Sequence, residues 1–162
     1  MNLREEFDEI SIRGRIAYGV TCMNELCKKR RINSSKMISF LELIKSGTKT
    51  NDFTQIELAV PEYYPKDESL KELAIAFGFD HLSIDQQKIV EIALEELTYT
   101  TLGNIYAGYR SEYTLEPLIN LIQILKDNDI VLPDSKPFKK SKSTEQNGWG
   151  KSVPFEYFQS NK

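Results

Sequence analysis

Apolar residues recur along this chain at the three- and four-residue steps that are typical of amphipathic α-helices. The first apolar stripe predicts a helix over about 11–29 and consists of Ile12, Ile16, Val20, Met23 and Cys27. Gly14 and Gly19 lie inside this segment, and their missing side chains leave room for another helix to approach closely. The pattern therefore predicts a helix that packs tightly against a neighbour.

The same periodicity, together with capping and breaking residues, predicts five further helices. We expect them over about 35–44, 53–60, 68–77, 84–106 and 115–127. Ser34 or Ser35 is expected to cap the first of these, and Thr114 the last, with Pro117 in its first turn. The expected stops are Gly47, Pro61, Gly78, Gly108 and Asn128.

The longest predicted helix opens at a capping box, in which the Ser83 hydroxyl and the Gln86 amide each satisfy a backbone N–H group. Its apolar positions are too many for a narrow stripe and are Ile89, Ile92, Ala93, Leu97, Leu102 and Ile105. A helix that is apolar over so wide a face is expected at the centre of the fold. Glu91 and Glu95, one turn apart, lie on its polar side.

The composition changes at position 133, so we expect a helical domain over 1–132 and a C-terminal extension over 133–162 docked on it. Residues 139–143 (Lys-Lys-Ser-Lys-Ser) are predicted to form a solvated loop. Aromatic residues flank or follow this loop and indicate a segment that packs back on the helices: Phe138, Trp149, Phe155, Tyr157 and Phe158. The run 147–150 (Asn-Gly-Trp-Gly) predicts a tight turn whose indole either covers the core or binds a ligand.

These patterns predict the all-α class, as a single compact domain of about six helices with an irregular aromatic C-terminal segment. Strand signals are confined to the short runs 130–132 and 153–158. A length of 162 residues, with 40% hydrophobic and 28% charged residues, is ordinary for one globular domain. Cys22 and Cys27 point in different directions on one helix, which predicts buried reduced thiols. We expect a cytoplasmic protein with no membrane span, because no signal-peptide core or long apolar run is present.

Charge is distributed unevenly along the chain. Residues 52–116 contain 13 acidic and 4 basic residues, a net charge of −9, whereas residues 1–51 carry +4 and residues 117–162 carry +2. The acidic middle is expected to repel a phosphate backbone and to attract a basic partner. Its candidate partner-binding residues are Glu62, Tyr63, Tyr64, Asp67, Glu68, Asp85, Glu91 and Glu95.

The sequence offers little chemistry for catalysis or for metal binding. His81 is the only histidine, and no serine or cysteine nucleophile motif accompanies it. A four-ligand zinc set, a calcium loop and a glycine-rich phosphate loop are all missing from the sequence. Glu91, Glu95 and Glu96 have the spacing of a hard-cation site, which is also the spacing of a solvated helix face. We therefore predict no metal, no cofactor and no catalytic residue.

In size, acidity, predicted helicity and missing catalytic groups, the whole chain resembles bacterial immunity proteins, the antidotes of toxins such as those of contact-dependent growth inhibition. The resemblance is one of type and rests on no diagnostic motif. It implies a non-enzymatic inhibitor that binds one toxin domain stoichiometrically. The partner that it implies is a basic domain, often a nuclease.

Three other interpretations of the sequence stay open. A helical regulator could bind nucleic acid through basic residues of the first helix, namely Arg13, Arg15, Lys28, Lys29, Arg30 and Arg31. The last four of these equally suit the negative end of the helix dipole. A small enzyme could use His81 or a carboxylate cluster, and the acidic middle could be merely a solvated surface.

Overall fold

Seven α-helices form within residues 1–106 and 109–159, which are the residues that the computed structural model describes. Their bounds are α1 (Leu3–Asp8), α2 (Ile12–Arg30), α3 (Ser35–Lys45), α4 (Phe53–Tyr63), α5 (Leu70–Phe77), α6 (Ile84–Leu102) and α7 (Ser111–Asp127). Short 3₁₀ turns lie at Ser46–Thr48, Lys136–Lys140, Gln146–Gly148 and Phe155–Phe158. The described residues contain no β-strand, so the predicted all-α class is confirmed.

α2 is the most buried helix and lies at the centre of the fold. It packs against α3, α6 and α7, and every residue of its predicted apolar stripe is buried. Gly19 allows the close approach that its position predicted, because a Cβ atom there would lie 2.9 Å from Leu97 Cδ1 of α6. α6, predicted to be the central helix, packs against α2, α5 and α7. Ile92 of α6, predicted to be apolar core, is 44% exposed.

Serine side chains open four of the helices. Ser34 caps α3, and Ser83 caps α6 by accepting the backbone N–H of Gln86 at 3.3 Å. The reciprocal bond from the Gln86 side chain does not form among the described residues, so the predicted capping box is only half present. A complete capping box joins Asn2 and Glu5 at the start of α1, a helix too short for its periodicity to be recognised in the sequence.

Two predicted helix boundaries were wrong at helices that contain a proline. α4 continues through Pro61 to Tyr63, and α7 begins at Ser111, which places Pro117 in its second turn instead of its first. A proline removes one N–H group and frees one carbonyl, a small loss near a helix end. The carbonyl that Pro117 frees, that of Tyr113, lies against Gly103, where a Cβ atom would collide with it. Thr114 is therefore buried inside α7 and does not cap it.

Other predicted stops differ by a few residues. Gly78 ends α5 in the left-handed conformation, as predicted, with φ of 80°. α3 ends at Lys45 and passes directly into a 3₁₀ turn that contains Gly47. The left-handed residue after α7 is Asp129 rather than Asn128. α6 ends at Leu102, short of the predicted position 106, and Gly108 lies outside the described residues.

The aromatic C-terminal segment packs on the helices, as predicted. Phe138, Phe155 and Phe158 are buried, and the rings of Phe138 and Phe158 stack with centroids 5.7 Å apart. The loop predicted to be solvated over 139–143 is solvated only in part, because Lys139 and Lys142 are exposed whereas Ser141 is buried against Ser11, the cap of α2. Its hydroxyl lies 2.6 Å from the Ser11 hydroxyl, and its carbonyl accepts the Ser11 N–H at 2.9 Å. Part of the run 153–158 forms a 3₁₀ turn and not a strand.

The predicted tight turn at 147–150 is present and seats the C-terminal segment on α2. Gly148 and Gly150 have φ of 94° and 82°, which side chains rarely tolerate. Gly150 lies so close to Ser11 and Ser141 that a Cβ atom would collide with both. The turn places the Trp149 ring against Phe53 at the start of α4, with centroids 4.9 Å apart. The C-terminal segment thereby reaches the loop before α4.

Candidate functional site

An open groove of about 550 Å³ lies between α4, α5 and α6, and we call it the acidic groove. Its lining residues come from the end of α4, the loop after it, α5 and α6: Val60, Pro61, Tyr64, Pro65, Lys66, Glu68, Leu73, Glu91 and Glu95. Apolar surface from α4 and α5 therefore lies beside the carboxylates of α6. Such a mixture suits an apolar chain that carries a positive charge.

Tyr64 positions the loop that forms one wall of the acidic groove. Because Pro65 follows it, Tyr64 is disfavoured from helical conformation, and α4 ends at Tyr63. The Tyr64 ring then packs on the core, with its centroid 5.5 Å from that of Phe77 and 6.3 Å from that of Phe40. The Tyr-Pro pair thus determines both where the helix stops and where the aromatic wall stands.

The carboxylates of the acidic groove are unpaired. Glu91 and Glu95 lie one turn apart on α6, and neither forms a hydrogen bond or an ion pair with any described residue. Loss of water around the Tyr64 hydroxyl, reinforced by repulsion from Glu95, raises the pKa of Tyr64 to about 12. The Tyr64 hydroxyl is consequently a neutral hydrogen-bond donor at physiological pH.

The structure brings together four of the eight predicted partner-binding residues. Tyr64, Glu68, Glu91 and Glu95 all line the acidic groove. Glu62 and Asp67 are exposed on the segments that flank it, and Asp85 is exposed in the first turn of α6. Tyr63, the last residue of α4, does not line the groove: its ring packs 5.5 Å from that of Phe40, and its hydroxyl lies 2.9 Å from that of Ser39.

The whole acidic middle is poor in internal ion pairs. Of its thirteen carboxylates, only Glu116 pairs with a cation of the described residues, namely Arg4. Four others accept hydrogen bonds from neutral groups: Asp52, Glu57, Asp67 and Glu96. The negative field of this region is therefore compensated mainly by solvent, and a cationic partner would find it unoccupied.

Two exposed apolar residues beside the acidic groove were not among the predicted site residues. Ile92 and Tyr99 lie seven residues apart on one face of α6 and are 44% and 57% exposed. Glu95 lies between them along the same helix surface, at positions i+3 from Ile92 and i−4 from Tyr99. The seven-residue spacing within a charged face was a signal for this strip, but the total number of apolar residues in α6 obscured it.

Arg13 and Arg15, two candidates for binding nucleic acid, are buried. Arg15 is fully inaccessible to solvent, and Arg13 is 5% exposed. Both guanidinium groups donate to backbone and side-chain oxygens of the protein itself. Burial lowers the pKa of both side chains, and their bonds within the fold occupy most of their N–H groups. Neither arginine presents its charge to a phosphate backbone.

The remaining basic candidates and His81 meet at the end of α2. Lys28, Lys29 and Arg31 are exposed there, and Arg31 ends the helix in the left-handed conformation with φ of 57°. This placement matches the interpretation of these cations as partners of the helix dipole. His81 is exposed, and its Nε2 lies 2.8 Å from the Arg30 carbonyl oxygen. Because a carbonyl only accepts, this nitrogen carries the proton and fastens the α5–α6 loop to α2.

Clusters of metal ligands and membrane-spanning helices are both absent from the described part of the chain. Across residues 1–106 and 109–159, His, Cys, Asp and Glu side chains nowhere gather in threes close enough to hold a metal ion. None of the described helices combines the length and the apolar character that a membrane span requires. Compared with known proteins, the chain matches no family model, no curated protein and no solved structure.

Proposed function

We propose that this protein is a non-enzymatic inhibitor that binds a basic protein through the acidic groove. The partner that we propose is a bacterial toxin domain, neutralised by stoichiometric binding as in immunity proteins. The single observation that carries the proposal is the set of unpaired carboxylates beside partly buried apolar surface in one groove. The assignment to immunity proteins rests on the resemblance of type, and the binding mode rests on the groove.

A lysine or arginine side chain of the partner suits the chemistry of this groove. Its aliphatic stem would pack against Val60 and Leu73, and its charged end would reach Glu91 and Glu95. The neutral Tyr64 hydroxyl adds a hydrogen-bond donor or acceptor at the wall. Lys66 also lines the groove but forms no ion pair with its carboxylates, so binding does not have to break an existing ion pair.

The surface around the acidic groove suits a larger contact. Ile92 and Tyr99 extend the contact along α6, and a partly exposed tyrosine is a frequent energetic centre of protein interfaces. The net charge of −9 over residues 52–116 would accelerate the encounter with a basic domain and make it sensitive to salt. Inhibition would then follow from covering the basic active cleft of a toxin, including that of a nuclease.

Charge reversal in the acidic groove tests this proposal. The partner to use is a toxin domain encoded beside the gene of this protein, with affinity measured by calorimetry and protection measured as survival of cells expressing the toxin. We expect a 1:1 complex, and we expect Glu91→Lys with Glu95→Lys to weaken it by about a hundredfold or more, since like charges replace complementary ones. Survival should fall in parallel with affinity.

Glu156→Lys is a matched control for these variants. Glu156 is an exposed acid on the C-terminal segment, outside the lining of the acidic groove. Glu156→Lys is compared with Glu91→Lys alone, because each raises the net charge by two, and it should leave affinity within about threefold. Equal losses at Glu156 and at Glu91 would assign the effect to overall charge and would reject the groove. Failure of the unmodified protein to bind the toxin domain or to protect cells would reject the inhibitor itself.

A further inference from the structure

The two buried arginines of α2 differ in how completely their N–H groups are used. Arg15 donates to the carbonyls of Phe7, Asp8 and Ser111 and to two hydroxyls, and it lies 3.6 Å from the Asp8 carboxylate. These bonds account for all five of its N–H groups. Arg13 makes four bonds and forms no ion pair with any carboxylate of the described residues.

The unused donor capacity of Arg13 lies on Nη2. Nη1 donates to the carbonyls of Gly47 and Thr50 at 3.0 and 2.8 Å, and Nε donates to the Gly150 carbonyl at 3.3 Å. Nη2 makes only one long bond, of 3.4 Å, to Asn51 Oδ1. A guanidinium has two N–H groups on this nitrogen, so one of them has no acceptor. The guanidinium also lies over the Phe53 ring, with its Cζ 5.5 Å from the ring centroid, but it has no anion and keeps one free donor.

Arg13 borders open space on the surface of the fold. It lines a cavity of about 360 Å³ together with Asn51, Asp52, Phe53, Thr54, Ile105 and Trp149, and we call this the Arg13 cavity. A second opening of about 410 Å³ shares Arg13, Asn51 and Trp149 with it. The Arg13 cavity lies in the size range of small-molecule sites, for which about 300–1,000 Å³ is typical.

The lining of the Arg13 cavity combines unused donors with aromatic surface. The side-chain amide nitrogen of Asn51 and the indole N–H of Trp149 form no hydrogen bond to the described residues, which adds two donors to that of Arg13. The rings of Phe53 and Trp149 lie 4.9 Å apart, and Ile105 completes the apolar part. A ligand that matches this lining has a negatively charged acceptor and an apolar body.

We infer that the Arg13 cavity binds a small organic monocarboxylate whose carboxylate faces the Nη2 edge of Arg13 and the Asn51 amide, with its apolar body on Trp149 and Ile105. The buried charge of Arg13 would then gain the anion that its surroundings lack, as in other charge-assisted hydrogen bonds. This site is separate from the acidic groove, because the two share no lining residue. The inference about the Arg13 cavity can therefore be correct or wrong independently of the proposed inhibitor function.

Asp52 limits the charge of the ligand. Its carboxylate caps α4 by accepting the N–H of Thr54 at 3.2 Å, and the hydrogen bond from the Thr54 hydroxyl is the main reason that its pKa is lowered. Asp52 is therefore ionised at neutral pH, and it stands at the rim of the Arg13 cavity. A dianionic phosphate would meet stronger repulsion there than a carboxylate with one charge.

Trp149 is the only tryptophan, so its indole N–H gives a single, unambiguous signal in the ¹⁵N spectrum of the full chain. The probe is sodium benzoate, with benzamide as its neutral isostere and phenyl phosphate as the dianion. We expect benzoate to shift the indole signal saturably and to bind about fivefold or more tightly than benzamide, as a charge-assisted bond to buried Arg13 requires. Phenyl phosphate should bind more weakly than benzoate.

Two variants test benzoate binding without disturbing the fold. Asn51→Ala should weaken benzoate by about fivefold through the loss of one hydrogen bond. Asp52→Asn keeps a good helix cap and removes the rim charge, so it should tighten benzoate by about twofold to threefold. The circular dichroism spectrum of both variants should stay that of the unmodified protein.

Several results would overturn the inference. The first is the absence of a saturable indole shift up to on the order of 50 mM benzoate, well above the millimolar constants of weak sites. Equal shifts with benzamide and benzoate would show contact with the aromatic surface alone. Unchanged or weaker benzoate binding in Asp52→Asn would remove the role of charge in the Arg13 cavity. The charge-reversal variants of the acidic groove should leave benzoate binding unaltered.

Discussion

The charged residues at the start of α2 are buried and bonded within the fold, whereas two carboxylates of α6 line an open groove and are unpaired. Arg15 lies fully buried where α1, α2 and α7 meet, and its N–H groups are all bonded within the fold. Glu91 and Glu95 line an open groove and bond to no described residue. The first region uses charge to hold distant segments together, whereas the second presents charge that the fold itself does not need.

This contrast reverses what net charge alone suggests about binding. The +4 charge of residues 1–51 includes Arg15, whose N–H groups are all bonded within the fold, and Arg13, which is 5% exposed and keeps one N–H group free. The basic surface is therefore smaller than the count implies. The −9 charge of residues 52–116 is almost wholly unpaired, so the acidic surface is close to what the count implies. A charge is informative about a partner only when its hydrogen bonds are not already satisfied internally.

The largest expected effect is the loss of Arg15. Arg15→Met leaves the carbonyls of Phe7, Asp8 and Ser111 and the hydroxyl of Thr114 without their buried donor. We expect the free energy of unfolding to fall by about 3–5 kcal/mol, as for other broken buried polar networks. Urea denaturation followed by circular dichroism measures the change.

Arg4→Met is the control for this variant. Arg4 forms an exposed ion pair with Glu116, and removing such a pair should change the unfolding free energy by at most about 1 kcal/mol. A loss at Arg15 no greater than that at Arg4 would mean that water replaces the guanidinium. The contrast between charges that are bonded within the fold and charges that have no internal partner would then fail.

An intermediate effect is expected from Tyr64 at alkaline pH. Because the folded-state pKa of about 12 exceeds the ordinary value near 10, the neutral tyrosine stabilises the fold below about pH 10, and this contribution is lost as the pH rises to about 12. Tyr64→Phe should spare the protein about 1–2 kcal/mol of that loss, after allowance for partial exposure. Urea denaturation at intervals from about pH 9 to pH 12 gives both curves, and their difference isolates Tyr64 from other alkaline groups.

Parallel curves for the two proteins would contradict this prediction. They would show that the Tyr64 hydroxyl is not desolvated in the groove wall. The polar role assigned to Tyr64 in partner binding would then lose its physical basis, while the packing of its ring on Phe77 would be unaffected.

The smallest effect is expected in the acidic groove. Glu91→Gln with Glu95→Gln removes two like charges one helical turn apart, so stability should stay equal or rise by about 0.2–0.5 kcal/mol. Thermal unfolding at low and high salt measures this difference, which salt should diminish. A loss above about 1 kcal/mol would reveal that the fold depends on these carboxylates, and they would resemble the arginines after all.

Much of the fold followed from local patterns. The stripe of α2, the serine cap of α3 and the glycine stop of α5 depend on residues within a few positions of one another, and all three were predicted. The errors at Pro61 and Pro117 arose because the cost of one lost backbone bond depends on what surrounds the freed carbonyl. α1 escaped prediction because six residues hold too little periodicity.

The candidate site was only partly accessible to sequence reasoning. Tyr64, Glu68, Glu91 and Glu95 were named from charge and from the tyrosine loop, and the fold places them in one groove. Tyr63, the last residue of α4, does not line the groove, and its hydroxyl lies 2.9 Å from that of Ser39 on α3. Ile92 was assigned to the core because apolar character identifies core residues only when the direction of the side chain is known.

By itself the sequence determined six of the seven helices, the serine caps of α3 and α6 and the docking of an aromatic C-terminal segment, because these depend on short-range periodicity and on composition. Only the tertiary structure decided which charges are buried. Arg15 donates to Ser111, 96 residues away, and Arg13 to Gly150, 137 residues away. Partners so distant leave no pattern in a single sequence. The assignment of arginines to the interior and of glutamates to an open groove is therefore a property of the packed molecule, where burial and hydrogen bonding are set together.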